Sequence, residues 1–379
     1  LKKKQQKTFG PGAGGTGLDM TAASVLEIDL DAVAGNWRLL AGKHAGATAG
    51  VLKADAYGVG AAQVAAKLYG AGCRHFFTAH LSEAMAIRAL VPDAMLAVLH
   101  GILPGEAEIF SGQNISPVLC SLDDIALWRA EAARLSKTLP ALLHVDTGMA
   151  RTGLSPSDLT RLGDDMSRLD GVEIRTVMTH LVGAETPSDP ISQAQLIRFR
   201  EAKKLFPAAG ASLANSSGTF LGENFTADLA RPGAALYGIN PTPGSPNPMR
   251  PVVRLTARIL QIRDIEAGET VGYNGTWTAQ RPSRIATVAV GYADGFLRHL
   301  SNAATAMADG HKIPLVGRVS MDLTTYDVTD VPRIVPGDSL ELIGPGHDAD
   351  ALAVEAGTNG YEILTSLGSR YQRRYLGLV

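Results

Sequence analysis

From about residue 47 to 238 the chain alternates short apolar or β-branched runs with amphipathic stretches of helical period. That alternation predicts βαβ units around a parallel sheet, because a strand covered on both faces reads as an unbroken apolar run and its crossover helix as a stripe. Eight runs stand out: Ala47 to Lys53, His75 to Ala79, Met95 to His100, Ile115 to Cys120, Ala141 to Asp146, Glu173 to Thr179, Ala211 to Ala214, and Ala234 to Tyr237. Between them Ser121 is placed to cap a helix over Leu122 to Leu135, and Ser155, with Pro156 in the first turn, one over Asp158 to Leu169. Eight alternating units within about 190 residues predict a closed, TIM-like (β/α)8 barrel rather than an open sheet.

Beyond the proline-rich linker Pro241 to Pro251 the period changes. Val253 to Ile265, Arg284 to Val290, Lys312 to Val319 and Leu340 to Ile343 read as strands joined by turns, with a short helical piece near Tyr361. The expected division is a glycine-rich flexible tail over 1–20, the barrel over 21–247 and a mainly-β C-terminal domain over 248–379. Val25 to Leu30 precedes the barrel and is free to pair with the β domain instead.

Composition narrows the partners. With 35 basic and 37 acidic residues the net charge is -2, which gives no electrostatic reason to expect nucleic acid or an anionic membrane. No apolar stretch approaches the roughly 20 residues of a membrane span, and Leu1 to Met20 lacks the apolar core of a signal peptide, so a cytoplasmic protein is expected. The two cysteines, Cys73 and Cys120, cannot form a disulfide framework, and none of the nine histidines stands at zinc-ligand spacing; no metal site is expected. Gly58-Val59-Gly60 would open a dinucleotide fingerprint, but Gln63 takes the third glycine's place and Thr78 that of the acidic residue.

Chemistry concentrates where the predicted strands end, the rim on which barrels build their sites. Lys53 closes the first run, where partial loss of water weakens an amine's preference for the charged form and lets it condense with a carbonyl. Arg151 follows the fifth run, His180 the sixth and Asn215-Ser216-Ser217-Gly218 the seventh, while Arg231-Pro232-Gly233 leads into the eighth. Ser216 and the backbone around Gly233 and Ala234 suit a phosphate. A lysine, two arginines and a phosphate cradle on one rim point to pyridoxal phosphate.

At these positions the chain resembles bacterial alanine racemase, a fold-type III pyridoxal phosphate enzyme. The likeness runs from Leu26 onward through VLKADAYG at Val51 to Gly58, Asp146 to Arg151, Thr179-His180, Ala214 to Ser216 and Arg231 to Gly238. It continues in Gly272-Tyr273, Gly291 to Gly295, Gly317 to Asp322 and Asn359 to Glu362. The resemblance implies that Lys53 holds the cofactor covalently and shares acid/base work with Tyr273. It implies further that Tyr57, Ser216, Tyr361, Gly233 and Ala234 surround the phosphate, and that Arg231 faces the ring nitrogen with support from His180. By the same likeness Arg151 reaches the phenolic oxygen and the substrate carboxylate, Met321 offers that carboxylate a backbone amide, and Tyr292 matches the family's gate tyrosine. Tyr273 and Met321 would come from the partner subunit of a homodimer.

Four positions depart from the family pattern. His144 stands where many relatives carry a carbamylated lysine that orients the arginine, so no carbamate is expected and a neutral imidazole or a bound anion would do that work. Val59, Ser320 and Trp277 replace a common histidine, cysteine and tyrosine. The expected reaction is interconversion of L- and D-alanine, supplying D-alanine for peptidoglycan or degrading one enantiomer in catabolism. The alternatives are a racemase of broader range acting on serine, a fold-type III decarboxylase or aldolase, and a single-barrel cofactor carrier. The β domain argues against the carrier.

Overall fold

The computed structural model describes residues 22–378; the tail expected over 1–20 lies outside the described residues. Seven parallel strands form one sheet in chain order: Gly50–Val51, His75–Thr78, Met95–Val98, Ser116–Leu119, Leu139–His144, Val172–Met178 and Gly210–Ser212. Helices connect the strands. The side chains alternate as a period of two demands: Phe77, Ala97, Val118, Leu142 and Met178 fill the interior of the curled sheet, while Phe76, Leu96 and Leu143 join the larger core outside it. Phe76 and Phe77 are both fully buried, each stabilising the fold by roughly 1.5–3 kcal/mol relative to exposure.

The eighth strand is not the run expected. Ala234–Tyr237 is a turn of 3-10 helix, and the strand is Leu229–Ala230, paired in parallel with Ala47–Thr48 just ahead of the first strand. The Arg231 N–H also donates to the Ala214 carbonyl at 2.8 Å, so the two ends of the curled sheet meet. The apolar run at 234–237 serves packing: Tyr237 is buried and its hydroxyl donates to the Val51 carbonyl at 2.8 Å. The helix expected over Asp158 to Leu169 is divided, with an α-helix over Pro156–Asp164 and a 3-10 turn over Met166–Leu169. Both serine caps form, Ser121 accepting from the Asp124 N–H at 3.0 Å and Ser155 from the Asp158 N–H at 3.1 Å.

In the second sheet the 13-residue strand Val253–Ile265 is long enough to pair with several neighbours. Ser24–Asp29, Ser283–Val288 and Ser339–Ile343 all run antiparallel to it. Of the two placements open to Val25 to Leu30, pairing with the β domain is the one observed, and Gln372–Leu376 covers its other edge in parallel. The expected strand at Lys312 to Val319 shrinks to His311–Pro314, hairpin-paired with Thr305–Ala308. Two capped helices, Ala349–Ala356 and Gly360–Ser366, bring this domain against the barrel. The seam is tight at Gly58, whose φ is +83°: a Cβ there would lie 2.2 Å from the Leu364 carbonyl oxygen.

Candidate active site

Lys53 stands just past the first strand, and the chain then takes an uncommon path. Ala54, Asp55, Ala56 and Tyr57 have φ of 54°, 53°, 53° and 56°, one turn of left-handed helix built from residues with side chains. Each such residue costs roughly 1–2 kcal/mol, so the surroundings must hold the turn in place. They do so from both ends. The Ala54 N–H donates to Glu83 Oε1 at 2.6 Å, the Ala61 N–H to Asp55 Oδ1 at 2.7 Å, and Arg373 Nη1 to the Gly58 carbonyl at 2.7 Å. Burial and then the Arg151 charge lower the pKa of the Lys53 amine, while Glu83 opposes them.

Across the rim, Ser216 Oγ accepts from the Gly233 N–H at 3.1 Å and the Ala235 N–H at 3.2 Å. The Tyr57 ring stacks on Tyr237 with centroids 4.8 Å apart and tilts toward Tyr361 at 6.4 Å. Burial pushes the Tyr57 phenol up to about 12. Gly233 has to be glycine, because a Cβ would sit 2.2 Å from the Tyr57 hydroxyl. Tyr361 donates to Glu185 Oε1 at 2.9 Å, and burial and that carboxylate raise its pKa.

Arg231 is 5% exposed and pairs with no carboxylate among the described residues. Its guanidinium donates to Ser212 Oγ and to the Thr179 carbonyl, and burial lowers its pKa to about 10, so it stays charged at neutral pH. A buried cation held this way is complementary to an acceptor in the cavity. His180 and His144 lie on the same wall. Burial first, then the Arg231 charge, bring their pKa values to about 3 and about 4, so both imidazoles are neutral near pH 7.

The histidines carry a pH prediction. Unfolded, both titrate near 6.5; folded, they resist protonation, so the unfolded chain binds more protons as pH falls from about 6.5 toward 4. Stability should drop across that window by up to ~1.4 kcal/mol per pH unit for each histidine. Urea midpoints of the cofactor-free protein at pH 7, 6 and 5 should fall in order, and His144→Gln should flatten the slope. An unchanged slope would mean that His144 is solvated and titrates normally.

Asp146 organises the loop before Arg151. Its Oδ1 accepts from the N–H groups of Gly148 at 2.8 Å and Met149 at 2.9 Å, and its Oδ2 from Ala150 at 3.0 Å. Gln195, which the sequence reading missed, is fully buried and donates to Thr147 Oγ1 at 3.1 Å and to the His180 carbonyl at 2.9 Å, tying the Arg151 loop to the next strand end. Nothing in its helical stretch marks it out. Glu83 was also missed, although its spacing three residues after His80, at a helix start, is that of a capping box.

Of the eleven residues expected to meet the cofactor, the substrate or the moving proton, nine line one cavity of about 1270 Å³; Tyr273 and Met321 do not. Those two are 70% and 54% exposed, and Tyr292 lies open at 43%. Asp322, beside Met321, pairs with Arg370 at 2.8 Å. Among the described residues no cluster of three or more histidine, cysteine or acidic side chains could hold a metal ion, and no helix is long and apolar enough to cross a membrane.

A barrel with a largely buried lysine at its first strand end and an anion cradle at its last two, joined to a β domain, defines a two-domain barrel enzyme. Profiles of known families place it more closely: "Alanine racemase, N-terminal domain" matches residues 28–241 and "Alanine racemase, C-terminal domain" residues 252–375. An alanine racemase of Acidiphilium cryptum is 58% identical over 348 residues, covering 92% of this chain and 97% of the relative. A catabolic alanine racemase of Agrobacterium fabrum is 46% identical, covering 94% and 92%. The crystal structure of alanine racemase from Bartonella henselae with covalently bound pyridoxal phosphate superposes with a TM-score of 0.91 at 40% identity, covering 94% of this chain and all of that one. The chain belongs to the alanine racemase family.

Proposed function

We propose that the protein interconverts L- and D-alanine with pyridoxal 5'-phosphate, using Lys53 and Tyr273 as its two proton-transfer groups. The observation that carries this reading is the Lys53 amine, largely withdrawn from water, sharing a cavity with the Ser216 cradle and the buried Arg231. These residues fit the cofactor: the amine suits its carbonyl, Ser216, Tyr57, Gly233, Ala234 and Tyr361 its phosphate, and Arg231, backed by His180, its ring nitrogen. Arg151 is the group for its phenolic oxygen and for the substrate carboxylate, which the Met321 amide also meets. When bound, the cofactor draws electrons from the substrate's α-carbon and makes its proton removable.

Racemisation then requires one group on each face of that carbon, one taking the proton and the other returning one. Lys53, its charged form disfavoured, serves one face and the Tyr273 hydroxyl the other. Tyr273 and Met321 are exposed and lie off the Lys53 cavity, which supports a homodimer in which each copy brings them to its partner's site. The role we infer is supply of D-alanine for peptidoglycan, in the cytoplasm.

The test is incubation with L-alanine in heavy water, with and without added cofactor, following D-alanine and deuterium at the α-carbon. Both enantiomers, each carrying deuterium, are expected. For Tyr273→Phe the expected result is deuterium exchange of one enantiomer with inversion reduced by about a hundredfold or more. Wild-type protein that exchanges no deuterium would refute the assignment, and full inversion by the variant would remove Tyr273 from it.

A further inference from the structure

Glu83 is the third residue of helix Leu81–Arg88, and one of its oxygens has an ordinary task. Oε2 accepts from the N–H groups of Ala79 at 2.9 Å and His80 at 3.1 Å, closing the start of that helix. The other oxygen does something a helix cap does not require. Oε1 reaches 29 positions back along the chain to the Ala54 N–H at 2.6 Å, the first left-handed residue and the one bonded to Lys53. Three backbone donors from two segments therefore fix one carboxylate.

The far end of the left-handed turn has its own supports, with the Gly60 N–H on the Asp55 carbonyl at 2.9 Å, the Ala61 N–H on Asp55 Oδ1 and Arg373 on the Gly58 carbonyl. At the Lys53 end Glu83 supplies the side-chain bond. We propose that Glu83 is the positioning residue for Lys53, its carboxylate pinning the strained turn that carries the lysine.

Several elements bring charged or titratable groups to this region. Arg151 on the loop after the fifth strand, His100 at the end of the third strand and His180 at the end of the sixth surround the amine, with His80 edge-on to His100 at 4.5 Å. Among the groups acting on Lys53, Arg151 disfavours its charged form and Glu83 favours it. Losing the Glu83 charge should therefore leave more of the amine neutral at a given pH and make it a weaker base, while losing the bond to Ala54 loosens its aim. The inference rests on the reading of Lys53 as the cofactor lysine and proton carrier.

The test compares wild type with Glu83→Gln and with Ser155→Ala, which removes a helix cap elsewhere. In the cofactor-free full chain, acylation of the Lys53 amine is followed against pH by peptide mass spectrometry; in the loaded enzyme, kcat and KM are measured across pH. For Glu83→Gln the labelling midpoint should move to lower pH, and kcat should fall by about tenfold with little change in KM. Ser155→Ala should lose thermal stability with neither change. If Glu83→Gln loses stability but keeps both midpoint and kcat, Glu83 is only a cap and the proposal fails. Should the glutamine form not fold, Glu83→Asp, which keeps the charge but is one methylene shorter, should retain the midpoint and lose kcat; wild-type kcat would overturn the proposal. Labelling reads Lys53 without substrate or cofactor, so a wild type that does not racemise alanine would sink the proposed function and leave this test readable.

Discussion

Replacing Lys53 by alanine is expected to lower alanine racemisation by roughly ten-thousandfold. A positioned general base contributes about 10²–10⁴ in rate, and on the proposed reading the same amine would also anchor the cofactor, so one substitution would remove both. The fold should survive, because the left-handed turn begins at Ala54 and its supports from Glu83, Asp55 and Arg373 are bonds to the backbone that do not involve the Lys53 side chain. The phosphate side, with Ser216 and the stacked Tyr57, also remains, so Lys53→Ala should still bind cofactor, reversibly and without the covalent link. Three measurements check this: deuterium exchange at the α-carbon, cofactor retained through gel filtration, and thermal stability. A variant that keeps its cofactor through gel filtration and racemises within about tenfold of wild type would place the base elsewhere.

Most of the scaffold was legible in the sequence, and so was the gathering of nine candidate residues around one cavity. Seven of the eight strand runs are where the apolar pattern put them, because strands covered on both faces leave unbroken buried runs, such as Val118 and Leu119 in the fourth strand and Ala141, Leu142 and Leu143 in the fifth. The eighth failed for a physical reason: Leu229–Ala230 is a two-residue strand, too short to show a period, while Ala234–Tyr237 is as apolar as a strand because it is buried, with Tyr237 stacked on Tyr57. The left-handed turn was hidden as well, since Ala54, Asp55, Ala56 and Tyr57 carry no signature of positive φ; the conformation is imposed by partners far along the chain such as Glu83 and Arg373. Tyr273 was singled out by likeness alone, and within one chain it does not line the Lys53 cavity.

Replacing Arg231 by glutamate is expected to change the outcome of the reaction as well as its rate. Although burial lowers its pKa to about 10, the guanidinium keeps its proton at neutral pH, and two of its nitrogens are fixed on Ser212 Oγ and the Thr179 carbonyl. On the proposed reading Arg231 would hold the cofactor's ring nitrogen by a hydrogen bond without giving it a proton, and the cofactor would then supply only a weak pull on the electrons of the α-carbon. A buried glutamate has its pKa raised and carries a proton that it can give to that nitrogen. A glutamate there would thus strengthen the pull that the cofactor supplies, and pyruvate formed per racemisation event should rise. Racemisation itself should fall by about a hundredfold, and stability by about 1–3 kcal/mol, because the Thr179 carbonyl loses its donor. Arg231→Lys separates the two effects: it keeps a positive charge while losing the planar fork, and should slow racemisation without raising pyruvate. If the two variants form pyruvate in the same proportion, the charge facing the ring is not what confines the enzyme to racemisation.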